Sequence, residues 1–306
     1  MTIANLPGMG TSDASIVMGR RSERASAEKK MRQDRVQQAS EQRRALLYGA
    51  MLGAVGDTIG MEELEMHFTL MPARYWVRVD KETLLGHLEI IHAFLRSLRE
   101  PDADVTRPMV RWRHCPDRGV TVAEVCTWDR LGLLAKVAGA FASVGLNIVR
   151  ADIFTRADNV VLDIFEVCTG DEGYVRDESR LKKMVRLLEM ALKPSANETA
   201  SVDPFTFVPP VGSRRAALAS PPLVTFDPTR TDAHTVLVVE TQDEIGLLYR
   251  ILSALAAEDV NCAHAIVTTE AGRVGDVFFL TDTEGRKITD AFRLEQIRQR
   301  VLESIS

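Results

Sequence analysis

The chain repeats itself. Shifted by 114 positions, Pro108–Thr155 lies on Pro222–Thr269 without a gap. Fifteen positions are identical, among them Thr121/Thr235, Val125/Val239, Asp129/Asp243, Gly132/Gly246, Leu133/Leu247, Leu134/Leu248, Asn147/Asn261 and Ala151/Ala265. Most other differences are mild, such as Leu131/Ile245 and Val137/Ile251, and after a one-residue deletion the match resumes at Asp163/Asp276 and Phe165/Phe278. A repeat of this length marks two copies of one folded unit rather than a short solenoid module. Whatever the chain does therefore uses two similar sites, or one site between two similar surfaces.

Each copy reads in the same order. A short leading strand (Met109–Arg113; Leu223–Phe226) turns into a second strand (Val120–Thr127; Thr235–Thr241). A helix follows (Leu131–Val144; Ile245–Glu258), with Leu131, Leu134, Val137, Ala138 and Phe141 at spacings of three and four. Two more strands come next, Leu146–Thr155 with Val160–Val167 and Val260–Thr269 with Arg273–Thr281, joined by turn residues. Helices over Glu178–Leu192 and Asp290–Ser304 close the units. Strand–helix–strand–strand–helix with one extra strand is the split βαβ, ferredoxin-like arrangement, and here the leading strand must supply the fourth strand of each sheet. The fold class is α+β, with two βαββα units behind a mainly helical N-terminal extension.

The division expected along the chain is a disordered tail over 1–25, a helical region over 26–106, a first unit over 107–193, a linker over 194–220 and a second unit over 221–306. Residues 1–24 are rich in Gly, Ser and Met without apolar period. Ser26–Leu47 is built of good helix formers with a broad polar face. It lies in a basic stretch, Arg20–Arg44, where nine Lys/Arg stand against four Asp/Glu, which makes it a solvated helix or a contact for an acidic partner or RNA. Gly49-x-x-x-Gly53 permits close packing of helices. Pro72 ends a helix, Tyr75–Val79 has a strand-like composition, and Asp80 caps a helix over Lys81–Arg99 with an apolar stripe of Leu84, Leu88, Ile91, Leu95 and Leu98. Pro194–Arg230 carries seven of the twelve prolines.

Several function classes find no support. The 306 residues have ordinary globular composition, 45% hydrophobic and 26% charged, and a net charge of −5 gives no general pull toward nucleic acid. Cys115, Cys126, Cys168 and Cys262 form no C-x-x-C pair, and His87 and His92, five apart on one helix, have the wrong spacing for a shared metal. The longest apolar run, Ala45–Val55, is well short of the ~20 residues needed to span a bilayer. No secretory leader is legible, so a reducing cytoplasm is the expected compartment. No glycine-rich phosphate loop and no nucleophile motif occurs, and no cofactor is implied.

One duplicated motif carries chemistry. Asp129-Arg130-Leu131-Gly132-Leu133 and Asp243-Glu244-Ile245-Gly246-Leu247 open the first helix of each unit. A helix N-terminus offers free backbone N–H groups and a positive dipole end, which suit a carboxylate. Gly admits a small molecule or another backbone, and Asp can cap the helix or take an α-ammonium. Asn147 and Asn261 open the next strand beside that helix end, where their amides could complete a polar pocket. The same residues also admit a plain structural reading: Asp as N-cap, Gly for packing, Asn as a left-handed turn residue.

The D-x-x-G-L-L, N-x-x-x-A and closing D-V-F-F-L-T-D pattern resembles the ACT domain, a small amino-acid-sensing module. The two copies are most similar to the tandem ACT pair that closes the bacterial PII uridylyltransferase/uridylyl-removing enzymes. Asn147–Thr155 with Leu162–Phe165 is similar to the first copy there, Val274–Ile288 to the second, and Met71–Tyr75 to the stretch ahead of the pair. The likeness spans roughly residues 62–304. It departs where family members usually carry Pro before the Gly, since Leu131 and Ile245 stand there. The catalytic domains of those enzymes would need hundreds of residues upstream, more than the 61 present, and neither their paired metal-binding aspartates nor a His-Asp dipeptide occurs. The resemblance implies a regulatory protein that binds glutamine or another small amino acid and signals to a protein partner, with ACT units pairing within the chain or between two chains. A split uridylyltransferase-like enzyme and a ligand-free ACT scaffold are the alternatives. The ligand-binding residues so implied are Asp129, Arg130, Leu131, Gly132, Leu133 and Asn147 with Asp243, Glu244, Ile245, Gly246, Leu247 and Asn261.

Overall fold

A computed structural model describes residues 37–55, 59–170, 173–193, 221–270 and 272–306. The tail over 1–25, the first part of the basic helix and the linker over 194–220 lie outside the described residues. Residues 37–52 are helical (α1). They are followed by α2 (Met61–Leu70), α3 (Ala73–Arg78) and α4 (Lys81–Ser97). The first repeat is β1 (Met109–Cys115), β2 (Val120–Trp128), α5 (Leu133–Ser143), β3 (Asn147–Thr155), β4 (Val160–Cys168) and α6 (Glu178–Leu192). The second is β5 (Leu223–Phe226), β6 (Thr235–Gln242), α7 (Leu247–Ala257), β7 (Asn261–Glu270), β8 (Arg273–Thr281) and α8 (Ala291–Ile305).

The eight strands of the described residues belong to one antiparallel sheet in the order β1-β2-β4-β3-β7-β8-β6-β5. Each leading strand completes its own unit's sheet at an outer edge. The units join at the centre, where β3 pairs β7 through Arg150↔Thr268, Ala151↔Val267 and Asp152↔Ile266. Asp152 and Ile266 occupy equivalent positions of the repeat. An antiparallel pair of equivalent residues places a pseudo-twofold axis through the seam. The pairing of the units is therefore internal to one chain.

Helices α5 to α8 cover one face of the sheet. The core there is continuous across the units, from Val137, Phe141, Phe165 and Leu188 to Ile251, Leu255, Phe278 and Val301. The helical region covers the other face of the first unit only. Leu64, Phe68, Tyr75, Trp76, Leu84, Leu88, Ile91 and Phe94 bury Cys126, Phe154, Val160 and Leu162 of the sheet. The equivalent positions in the second unit are Glu240, Thr268, Arg273 and Gly275, all exposed. Polar contacts join the region to the sheet. Arg111 of β1 pairs with Glu89 of α4 at 3.3 Å as well as with the buried Glu124 of β2, His87 Nε2 lies 3.9 Å from Glu124 Oε1, and within the helical region Tyr75 Oη lies 2.9 Å from His87 Nδ1. Burial and the nearby guanidinium of Arg111 hold the His87 imidazole down to about 3, so it is neutral.

Three sequence expectations are corrected. Tyr75–Val79 is not a strand. Ala73–Arg78 is a helix behind Pro72, because Tyr75 and Trp76 are both buried and a strand would turn such neighbours to opposite faces. Gly49 and Gly53 make no close helix contact, since a Cβ at either would meet nothing within 4 Å. The first helix of each unit starts later than its apolar period suggests, at Leu133 and Leu247, and Leu131 is half exposed outside it. Asp80 does cap α4, accepting from the Thr83 N–H at 2.8 Å. Among the described residues no helix is long and apolar enough to cross a membrane, and no cluster of three or more His, Cys, Asp or Glu is placed to hold a metal.

The seam makes a direct prediction. With a protease site placed within 195–220 and cut, the two units should still elute together from a sizing column at micromolar concentration, because the β3–β7 ladder and the shared helix-face core do not depend on the linker. Separate elution of two folded halves would show that the seam is too weak to hold them.

Candidate functional site

The pseudo-twofold axis decides what meets what. It lays the helix-start loop of each unit against the opening of the other unit's β3 or β7. Two small cavities result. The first is lined by Asp129, Arg130, Gly132 and Leu133 of the first unit with Asn261 and Cys262 of the second. The second is lined by Asp243, Glu244, Gly246 and Leu247 of the second unit with Asn147 and Ile148 of the first. Ten of the twelve residues singled out from the sequence thus line one of two inter-unit cavities. Leu131 and Ile245 line neither. Helix α7 walls the first cavity with Leu252 and Leu255, and α5 walls the second with Ala138 and Ala142.

The local geometry differs from each structural role that the sequence suggested for the motif. Gly132 and Gly246 are the N-cap residues, with φ of 72° and 86°, so the aspartates three positions earlier are not caps. A Cβ at Gly132 would meet nothing within 4 Å, so what requires glycine there is the left-handed backbone and not a close contact. The asparagines are not the left-handed turn residues either. Gly145 and Asp259 fill that role two residues earlier, at φ 71° and 52°. Each asparagine instead precedes a β-bulge, between Ile148 and Arg150 and between Cys262 and His264. A bulge bends a strand and re-aims its side chains. The Asn147 amide reaches across the seam and donates to Asp243 Oδ2 at 2.7 Å. Each helix-start loop is also tied to its own sheet: the Asp129 N–H donates to Asn159 O at 2.8 Å, and the Asp243 N–H to Gly272 O at 3.0 Å.

Beneath each loop lies a second carboxyl. Asp163 lines the first cavity and Asp276 the second, and both are buried to 1% exposure. They stand on β4 and β8 at the position where the repeat resumes. Burial pushes the Asp163 carboxyl well above the usual carboxylate range, and the nearby Asp129 charge adds to the shift. Burial likewise pushes Asp276 up to about 7, although its Oδ1 accepts the Thr268 N–H at 3.1 Å. Burial also raises Asp129 and Asp243, against the amide of Asn147 in the latter case. Sequence reasoning passed over Asp163 and Asp276. Their signal was an acidic residue kept in both copies of an otherwise apolar strand, which is an uncommon thing to bury.

The cavities are small, about 30 and 10 Å³. That is space for about a water or two. An amino acid enters only if a helix-start loop moves outward. The lining nonetheless offers first-turn amides without intrahelical carbonyls, a carboxyl on the loop and an amide from the other unit.

Residues 223–306 match the family model described as an ACR9-like, ACT-like domain. The match covers the second unit, and the first unit is its repeat in sequence and its copy in topology. The chain's curated relatives include the bifunctional uridylyltransferase/uridylyl-removing enzymes of Gluconobacter oxydans, 33% identical over 76% of this chain, Azospirillum brasilense, 30% over 80%, and Rhodospirillum rubrum, 32% over 79%. The chain spans about a quarter of the length of each: 24% of the first and 25% of the others. A solved aspartate kinase from Synechocystis aligns with 60% of this chain and 27% of its own at 16% identity and a TM-score of 0.32, too distant to bear on the site.

The second unit carries a built-in pH dependence. Asp276 holds its proton in the folded chain up to about pH 7, but the unfolded chain releases it near pH 4. A raised acid contributes stability below the unfolded value, and that contribution is lost as pH climbs through the folded one. Asp276→Asn should therefore gain stability relative to the parent as pH goes from 5 to 8 in urea unfolding. A stability difference that stays constant over that range would mean the carboxyl is already ionised at pH 5.

Proposed function

We propose that the chain is a regulatory protein that binds a small free amino acid between its two ACT-like units and passes the bound state to a protein partner. The helical region to residue 106 and the units over 107–193 and 221–306 are read as its three parts. The observation that supports this most is the crossed construction of the cavities, in which loop, helix N-terminus and floor carboxyl come from one unit and an asparagine from the other. The first-turn amides suit an α-carboxylate, the loop aspartate suits an α-ammonium, and the opposite unit supplies an amide. Glutamine is the foremost candidate, on the resemblance to the uridylyltransferase ACT pair.

Signalling follows from size. A cavity that holds only water must open to admit an amino acid, so the ligand favours a state in which the loop and the seam beneath it have shifted. A ligand moves such an equilibrium by its differential affinity for the two states and by no other route. The helical region lies close to that seam: Arg74 Nη2 donates to Ile153 O at 2.9 Å, and Arg78 pairs with Asp152 at 2.7 Å, both on β3.

A thermal-shift screen of the full chain against the twenty amino acids, followed by calorimetry, tests the reading. A raised melting temperature with one or a few of them is expected. No shift and no heat at millimolar concentration would remove the amino-acid role and leave a ligand-free scaffold. Transfer of labelled UMP to a PII-type protein by the purified chain would instead make it an enzyme.

A further inference from the structure

The two cavities are built from equivalent parts, yet three differences separate them. The first is charge. Arg130 and Glu244 occupy the same position of the repeat and each lines its own cavity. The lining of the cavity at α5 therefore includes Arg130 together with Asp129 and Asp163. The cavity at α7 has three carboxyls, Asp243, Glu244 and Asp276, and no cationic side chain in its lining.

The second difference is occupancy by the protein's own groups. At α7 the Asn147 amide already sits on the Asp243 carboxylate, and Glu244 is drawn into an ion pair with Arg250. At α5 no bond joins the equivalent Asn261 and Asp129 among the described residues. The third difference lies in the floor. Both floors have the equivalent backbone hydrogen bond, from Thr268 at Asp276 and from Phe154 at Asp163, but the Oδ1 of Asp163 is in addition buried without a hydrogen-bond partner. An unsatisfied buried oxygen is costly unless a donor comes to it. The cavity volumes agree, since the one at α5 is about 30 Å³ and the one at α7 about 10 Å³.

A zwitterion needs a cation at one end and an anion at the other. The α5 cavity offers both: Arg130, which has five N–H donors and uses two on the carbonyls of Trp128 and Leu192, and the paired carboxyls. The α7 cavity would set the ligand's carboxylate among three acidic groups, and its loop aspartate already holds an amide N–H in the place an ammonium would take. Resting on the amino-acid reading above, we propose that the chain binds one amino acid, in the α5 cavity, with Arg130 on the α-carboxylate and Asp129 and Asp163 on the α-ammonium, while the α7 cavity is a permanent latch between the units.

Equilibrium dialysis of the full chain against an equimolar mixture of the twenty amino acids, raised until binding saturates, reads both identity and stoichiometry. One mole of amino acid per mole of chain is the expected plateau. Arg130→Glu, which gives the α5 loop the charge of its counterpart, should weaken binding about tenfold or more, the scale of a lost charge-assisted pair. Asp129→Asn, nearly isosteric, should do the same with an unchanged melting temperature, which guards against a folding defect in the first variant. A plateau of two, or undiminished binding in both variants, overturns the assignment while leaving the amino-acid reading intact. Retention of no amino acid by the parent chain overturns that reading and this assignment together.

Discussion

The three-residue ladder between β3 and β7 is the interaction on which the rest depends. Without it each unit is a four-stranded sheet with its own two helices on one face and an unpaired inner edge, a template for association with other chains. With it the two edges satisfy one another, the helix layers merge into one core, and the loops of one unit come to rest on the strand openings of the other. The cavities exist only because of this crossing. Neither unit alone brings a helix-start loop and an asparagine amide together across the seam.

The seam is symmetric, but the molecule is not. The helical region lies on the first unit, and the chemistry of the sheet surface follows it. Cys126, Phe154 and Val160 are buried beneath the helices where Glu240, Thr268 and Arg273 face solvent in the second unit. Glu124, locked by Arg111 at this interface, is answered by Val238 in the other copy. A buried ionised carboxylate needs a partner, and here the neighbouring strand supplies Arg111 while the helical layer covers the pair and adds Glu89 to the same guanidinium. The same imbalance runs into the cavities, where Arg130 and Glu244 give equivalent loops opposite charge.

Much of this was legible before any coordinate. The repeat announced two copies of one unit, the order of periodic segments gave the βαββα arrangement, and the position of the extra strand fixed which strand would finish each sheet. Prolines, turn residues and the Asp80 cap marked boundaries to within a few residues. The errors came where local pattern and packing disagree. Tyr75–Val79 has the composition of a strand, and it is helical because two adjacent aromatics must enter one core. The helix of each unit begins two residues late because Gly132 and Gly246 leave the right-handed region.

The sequence by itself determined what each unit is and which residues cluster at its helix start, because these follow from contacts close along the chain. Only the tertiary structure decided that Asn147 belongs with Asp243 and Asn261 with the loop at Asp129, because those residues are distant in sequence and meet through an antiparallel pairing whose register no local pattern specifies. It also decided that the asparagines are not turn residues and the aspartates not caps, and it exposed Asp163 and Asp276 as floors beneath the loops. A period-two pattern says that a strand residue faces inward. What it faces depends on the element laid over it, and that is settled by how the whole chain packs.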